Sequence, residues 1–464
     1  MVLPPTSVSR PVSAAPRREL TLYDSTCIIV GIIIGAGVYR TAPGVAGLTP
    51  NVTWLIGLWL FGGVLSLLGA LCYAELATAY PEEGGDYVYL TRAFGRSVGF
   101  LFAWCQLWIV RPGSIGIMAF AFAEYANCIW PRAEGARVTT VLLAYAAGSI
   151  VVLTLVNILG VREGKWTQNI LTTAKVLGLA AIVVVGFACT APPPAAAPAA
   201  MPAAAASTTS AGFTLSQFGL AMIFVLFTYG GWNEMAYVGA EVKAPRKNIL
   251  RALLIGTLAV TAIYVLVNLA FVHALGLEGA RHETVAADVL ALGLGPWAGQ
   301  VISVLICVSA LGAINGQIFT GSRIYYAMGS EHRLYAWLGR WDARRGTPVC
   351  SLLIQGAITL ALVVWFGMSP GGFESLVKFT TPGFWFFLAL VGASLFILRH
   401  REPTIERPYR VPGYPLTPLL FCLSCVFMVY ASLAYAVEHR SWEALWSIVI
   451  LLVGVAMNFC NSRQ

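Results

Sequence analysis

Charge is scarce in this chain. Lys, Arg, Asp and Glu make up 11% of its 464 residues, against roughly 25% in a soluble domain. So few charged side chains cannot clothe a water-facing surface of this size, which excludes an ordinary soluble fold. Histidine is rarer still, with five residues. His282, His332, His400 and His439 fall in loops and His273 at the end of an apolar run. No His/Asp/Glu group inside the apolar runs has metal-ligand spacing, and no nucleophile–base pair can be assembled. An enzyme, a metal and any other cofactor are therefore not expected. The ten cysteines show no paired spacing and read as small buried apolar residues. Only Cys128 and Cys189 fall near one face in positions where a pair could form. A cleavable leader is not expected either, because the first apolar run is too long for a signal core.

What the chain has in abundance is apolar sequence. It is 58% hydrophobic with mean hydropathy +0.76. Runs of about 20 apolar residues, the length that crosses a bilayer, recur throughout. We read twelve spans, at 24–43, 52–80, 96–126, 138–160, 168–190, 216–240, 248–275, 297–329, 348–367, 374–398, 414–437 and 442–460. The net charge of +8 does not imply a nucleic-acid partner. With residues 1–20 as a cytoplasmic tail, most basic residues fall in inner segments, as the positive-inside rule requires. Arg40, Arg132, Arg137, Arg281 and Arg440 are the outer exceptions. Both termini are then cytoplasmic, and lipid is the surrounding partner.

Two spans break in the middle. The first reads Gly31-Ile32-Ile33-Ile34-Gly35-Ala36-Gly37-Val38-Tyr39, the second Phe227-Thr228-Tyr229-Gly230-Gly231-Trp232-Asn233. Unwound backbone inside a bilayer is tolerated only where protein or a wet cavity satisfies its polar groups. The Pro/Ala-rich stretch at 191–215 reads as an extracellular linker that separates five spans (21–190) from five more (216–400), with the last two in 401–464. Five is odd, so the second set is inverted relative to the first. Paired breaks in inverted repeats point to a midplane binding site of a secondary transporter. A helix start carries partial positive charge and a helix end partial negative charge. A carboxylate therefore suits the N–H groups of Gly35, Ala36 and Gly37. An ammonium suits the carbonyls of Ile33 and Ile34, and of Phe227, Thr228 and Gly230. The result is a cradle for a zwitterion. Close helix packing by small residues is the competing explanation for the glycines.

These segments resemble the amino acid–polyamine–organocation superfamily. Tyr73-Ala74-Glu75-Leu76 and Tyr80-Pro81-Glu82-Glu83-Gly84-Gly85-Asp86-Tyr87 look like its second-span exit and following loop. Arg111-Pro112-Gly113-Ser114, Gln168-Asn169-Ile170, Ala174-Lys175 and Tyr229-Gly230-Gly231-Trp232-Asn233 are similar to the L-type amino acid transporter branch. So are Glu241 through Asn248, Asn315-Gly316, Ser322-Arg323, and Leu398-Arg399 through Arg407-Pro408. The resemblance implies an all-α membrane protein of the leucine-transporter fold, with helices 1 and 6 broken. It implies alternating-access transport of an α-amino acid across the plasma membrane, a bacterial inner membrane on composition. Ala36 departs from the pattern, where many relatives have serine.

Lys175 lies deep in the fifth span, where a charge costs roughly 2.5–3.5 kcal/mol. In sodium-independent relatives a lysine here occupies a second sodium site; by analogy it links span one to span eight near Ser309. Glu234 follows Trp232-Asn233 and has three readings: a proton relay, a counter-charge to a cationic substrate, or a partner of Arg111 or Lys175. Phe227 is the expected gate, with Trp232 beside it; Ser114 and Trp385 are further candidates for the side-chain pocket. The expected activity is sodium-independent transport, by proton symport or exchange. A polyamine/amino acid antiporter and a non-transporting sensor are alternatives, whereas a channel would need a polar face along several spans and the polar groups here gather at the two breaks. Animal L-type proteins pair with a heavy chain through an outer cysteine after span three. Cys128 does not align clearly with it, so no heavy-chain partner is expected.

Overall fold

The computed structural model describes residues 17–131, 138–190, 213–368, 371–438 and 442–462. The tail up to residue 16 and the Pro/Ala stretch at 191–212 lie outside them. Among the described residues the chain is all-helical. In order the helices are α1 (Leu22–Ile33), α2 (Gly37–Leu48), α3 (Val52–Ala79), α4 (Asp86–Phe94), α5 (Arg96–Ile129), α6 (Val138–Leu159), α7 (Val161–Ala188) and α8 (Leu215–Thr228). A 3₁₀ helix (Trp232–Glu241) follows, then α9 (Pro245–Ala280), α10 (Val285–Leu294), α11 (Ala298–Glu331), α12 (Val349–Gly367), α13 (Gly372–Arg401), α14 (Leu416–Glu438) and α15 (Trp442–Ser462).

Nine of the described helices are long and apolar enough to cross a membrane, and α1 with α2 makes a tenth, bent by 49°. That falls short of twelve for a physical reason. The second broken span is split into a 14-residue α-helix and a 10-residue 3₁₀ helix, neither of which can cross by itself. The apolar part of α15 is also short.

Both broken segments start in the same way. Thr21 accepts a hydrogen bond from the Asp24 amide while the Asp24 carboxylate accepts from Thr21. Thr214 and Gln217 repeat this reciprocal pair at α8. The capping box satisfies two orphan donors at each helix start. The two segments then run antiparallel. Leu20, just before α1, bridges to Val242, just after the 3₁₀ helix, while Gly37 packs on Thr228.

One end of the molecule gathers arginines. There Arg323 pairs with Glu241, Arg399 and Arg407 with Glu75, and Arg92 with Glu82 and Glu402. We call this end the basic face. At the opposite end Arg40 pairs with Glu124, and Arg281 donates to the carbonyls of Ala46 and Thr49. Glu75 holds α3 to the end of α13, accepting also from the Val411 amide at 2.7 Å, which is a structural role.

Candidate functional site

The breaks meet at the centre. α1 ends at Ile33 because the next residue leaves the helical region: Ile34 has φ −77° and ψ 78°. The second break turns through Gly231, whose φ of +116° suits glycine and is strained for other residues. Between them lies a cavity of about 120 Å³. Ile33, Gly35 and Gly37 line it from the first break, and Phe227, Thr228, Gly230, Gly231 and Glu234 from the second. Arg111, Ser114 and Met118 of α5, Gln317 of α11, and Thr380, Thr381, Phe384 and Trp385 of α13 are also in the wall, with Ile32, Val110 and Ile117. Arg111 reaches it from a π-helical turn, Gln106–Val110. Pro112, just beyond, cannot donate to the helix ladder, and such bulges re-aim side chains at functional sites.

Lys175 is fully buried. Its ammonium donates to the carbonyls of Gly31 at 2.8 Å, Ile34 at 2.7 Å and Ser309 at 2.8 Å. The Ser309 hydroxyl, with one hydrogen to give, lies 3.0 Å from the Ile34 carbonyl and 3.1 Å from the Gly35 carbonyl. One cation thereby ties the end of α1 to α7 and α11. The motif amides continue the tie: Asn157 donates to Asn315, Asn315 to Gln168, and Gln168 and Thr172 to the Cys27 carbonyl.

Glu234 pairs with Arg111 at 2.7 Å and accepts from the Thr320 hydroxyl at 2.6 Å. Lys175 is not its partner. Both charges are buried, so the pair lines the cavity as a neutral unit, stacked beside the Tyr237 ring.

Four residues expected at the substrate sit elsewhere. The Ile34 carbonyl accepts from Lys175, lies within reach of the Ser309 hydroxyl, and does not line the cavity. Ala36 is buried and does not line the cavity. Trp232 turns away and packs edge-on against Tyr73 at 5.1 Å and Phe421 at 5.7 Å. Asn233 donates to Tyr237, whose hydroxyl donates to Asp86 at 2.6 Å. The cause is the 3₁₀ geometry: three residues per turn put Gly231 and Glu234 on one face and send Trp232 and Asn233 to the others. Gly35 lines the cavity, but its amide is spent on the Ile33 carbonyl at 2.9 Å.

Sequence reasoning missed Tyr264. Its hydroxyl lies 3.1 Å from the Ile33 carbonyl and 3.2 Å from the Thr228 carbonyl, the last helical residues before the two breaks. The available signal was a phenol amid the apolar residues of α9. It also missed Gln317, whose side-chain carbonyl is buried without a partner, and Asp86, which accepts from Tyr73 and Tyr237. Burial pushes the Asp86 carboxyl up to about 7, against those two hydrogen bonds. Cys128 and Cys189 are both free thiols. Among the described residues no group of His, Cys, Asp and Glu could hold a metal.

A helical membrane protein with two broken helices around a small cavity, lined by apolar side chains and a few polar groups, has the build of a solute permease. The chain belongs to the amino acid permease family, whose profile matches residues 20–455, and so to the superfamily whose motifs it carries. It is similar to b(0,+)-type amino acid transporter 1 of Mus musculus, 31% identical over 445 residues, 96% of this chain and 88% of that protein. It is 30% identical to Asc-type amino acid transporter 1 of Mus musculus, over 96% of this chain and 81% of that one. The cystine/glutamate transporter of Homo sapiens is 29% identical, over 90% and 80% respectively. The protein is an amino acid transporter spanning a membrane several times, not an enzyme.

The expectation of no heavy-chain partner is corrected by these matches. The relatives are animal L-type proteins, the group that pairs with a heavy chain. That expectation leaned on Cys128, which is an exposed free thiol near the end of α5 and gives no ground for excluding a partner.

Proposed function

We propose that this permease carries a neutral α-amino acid without sodium, by exchange, through alternating access. The observation that carries the reading is Lys175. Its ammonium stands between the first break and α11 with all three N–H groups engaged. A fixed cation there leaves no need for a metal cation to bind the same carbonyls, and no donor to spare for a proton cycle. The substrate carboxylate sits on the Gly37 amide at the start of α2, which has no side-chain cap. Its ammonium sits on the carbonyls of Thr228 and Gly230. Its side chain faces Ser114, Trp385 and the Arg111–Glu234 pair, with Phe227 as gate. Because that pair cancels its own charge, a neutral side chain fits best. A polyamine fits less well, since Glu234 is already taken.

The matching capping boxes and antiparallel breaks support twelve spans in two inverted repeats, 21–190 and 216–400, joined by 191–215, with 401–464 outside them. The arginine-rich face is cytoplasmic, with both termini, and the membrane is the plasma membrane.

The test is efflux of labelled neutral amino acid from proteoliposomes in sodium-free buffer. Efflux that requires unlabelled amino acid outside supports exchange. Efflux that needs none and follows a pH gradient supports proton symport instead, with Glu234 as the candidate carrier. Binding with no efflux under either condition identifies a sensor. A sodium requirement overturns the assignment of Lys175.

A further inference from the structure

The loop between α3 and α4 is wedged into the basic face. Gly84 and Gly85 have φ of +92° and +44°, which lets the backbone lie against its neighbours. A Cβ on Gly84 would meet Ala327 of α11 at 2.6 Å, and one on Gly85 would meet the Ala236 carbonyl of the 3₁₀ helix at 2.7 Å. The Gly84 amide donates to the Tyr237 carbonyl at 3.2 Å. The loop therefore bridges the two elements whose separation would open this face.

Glu241 is the hub of that closure. Its carboxylate takes Arg323 through Nε at 2.6 Å and Nη2 at 3.2 Å, with both residues buried. Its carbonyl takes the amides of Glu19 and Leu20 at 2.9 Å, and the Lys243 amide returns to the Leu20 carbonyl at 2.8 Å. Arg323 also stacks over Phe319 and Trp341. The pair is complete in itself: two charges, bidentate, satisfied.

Glu83 is then one carboxyl too many. Both of its oxygens are buried with no hydrogen-bond partner. The charged groups that act on it are the Glu241 carboxylate and the Arg323 guanidinium, and Arg323 is already held by Glu241. Elsewhere on its own loop Glu82 is paired with Arg92, and Asp86 faces Tyr73 and Tyr237. An ionised Glu83 would be a bare buried anion beside another anion, the arrangement most costly in a low-dielectric interior. Burial first, and the Glu241 charge second, hold its carboxyl well above the usual carboxylate range, with Arg323 opposing.

We propose that Glu83 is a proton-binding site that latches the basic face shut. It takes one proton from water when the Arg323–Glu241 pair closes over it and returns that proton to water on the same side when the pair opens. No net proton crosses the membrane, so the latch is distinct from symport and holds whether transport is exchange or not. Acid on the basic face favours the closed form.

The test is hydrogen–deuterium exchange of purified protein across pH, corrected for the intrinsic exchange rate, read on peptides spanning 80–86 and 241–243. In an Asp86→Asn background, where the other raised acid of this loop no longer titrates, the opening equilibrium is expected to rise about tenfold per pH unit while Glu83 is protonated in the closed form, the slope of one linked proton. Adding Glu83→Gln to that background should keep the face closed and remove the slope. An unchanged slope in Glu83→Gln overturns the proposal. Should Glu83→Gln fail to give monodisperse protein, infrared spectra of Asp86→Asn decide. A protonated-carboxyl band that titrates together with loop opening supports the latch; a band that is missing or titrates apart from opening overturns it.

Discussion

Lys175 has three hydrogens to give and finds three carbonyls. A hydrogen bond to a charged group is worth about 1.5–3 kcal/mol, so truncation strands a substantial share of what holds the first break. Lys175→Ala should lower the exchange rate per reconstituted protein at least tenfold while membrane insertion stays normal. Lys175→Arg should not restore it, because a planar guanidinium cannot send donors in the three directions an ammonium does. Normal exchange by Lys175→Ala would remove this residue from the mechanism. On the proposed mechanism Glu234 bears on a different property. Without it Arg111 becomes a lone buried cation at the cavity wall, so Glu234→Ala should shift substrate choice toward acidic amino acids, by about tenfold or 1.4 kcal/mol in a competition assay. An unchanged ranking of neutral over acidic competitors counts against the neutral-pair argument. The glycine pattern and Lys175 could be picked out at this scale from sequence because glycine and lysine are expensive inside a bilayer and their presence needs a reason. Trp232 and Asn233 could not be oriented, because nothing local announces that the helix after the break winds with three residues per turn.

The elements were readable to the extent that apolar length announces them. The Val52–Ala79, Ala298–Glu331 and Val349–Gly367 helices fall within two residues of the expected spans at either end. The α7 helix instead starts at Val161, seven residues before the expected 168, since Arg162, Glu163 and Lys165 hide a helix whose first turns lie at the basic face. The π turn before Arg111 was equally hidden; a bulge adds one residue per turn and leaves the composition unchanged. The second break makes a sharp demand on one position. Gly231 combines φ +116° with an Ile32 methyl 2.8 Å from where a Cβ would stand. Gly231→Ala should cost about 1–2 kcal/mol from the backbone conformation alone and lower the melting temperature. Gly44→Ala, with 3.6 Å of room beside Phe224, should not. Equal melting temperatures for the two variants would mean the break relaxes more easily than its geometry suggests.

At the scale of the whole molecule the two ends differ in chemistry. The basic face is laced with buried ion pairs and carries the acids that ionise with most difficulty. Asp86 holds its proton up to about pH 7 in the fold against 3.8 as a free side chain, so it binds that proton more tightly folded than unfolded. Its stabilising contribution is complete below about pH 3.8 and is lost as pH rises toward 7. Melting temperature measured across that window should fall for the wild type and fall less for Asp86→Asn, with Glu83 carrying the remainder. A wild-type curve that rises between pH 4 and 7 would place the dominant titration elsewhere. None of this was legible in the sequence, where Glu83 and Asp86 are two acids in a hydrophilic loop; only the packing of that loop against α11 and the 3₁₀ helix takes water away from them.

A phenol owns a single hydrogen, yet the Tyr264 oxygen stands within reach of two carbonyls, Ile33 before the first break and Thr228 before the second. At any instant only one of them has the phenol's hydrogen, and Ile33 alone has a second donor, the Gly35 amide. With the substrate ammonium on the Thr228 oxygen, as proposed above, the phenol would be free to serve Ile33, so cargo at one break would decide where that hydrogen goes. The empty and loaded carriers then differ in the address of one hydrogen atom.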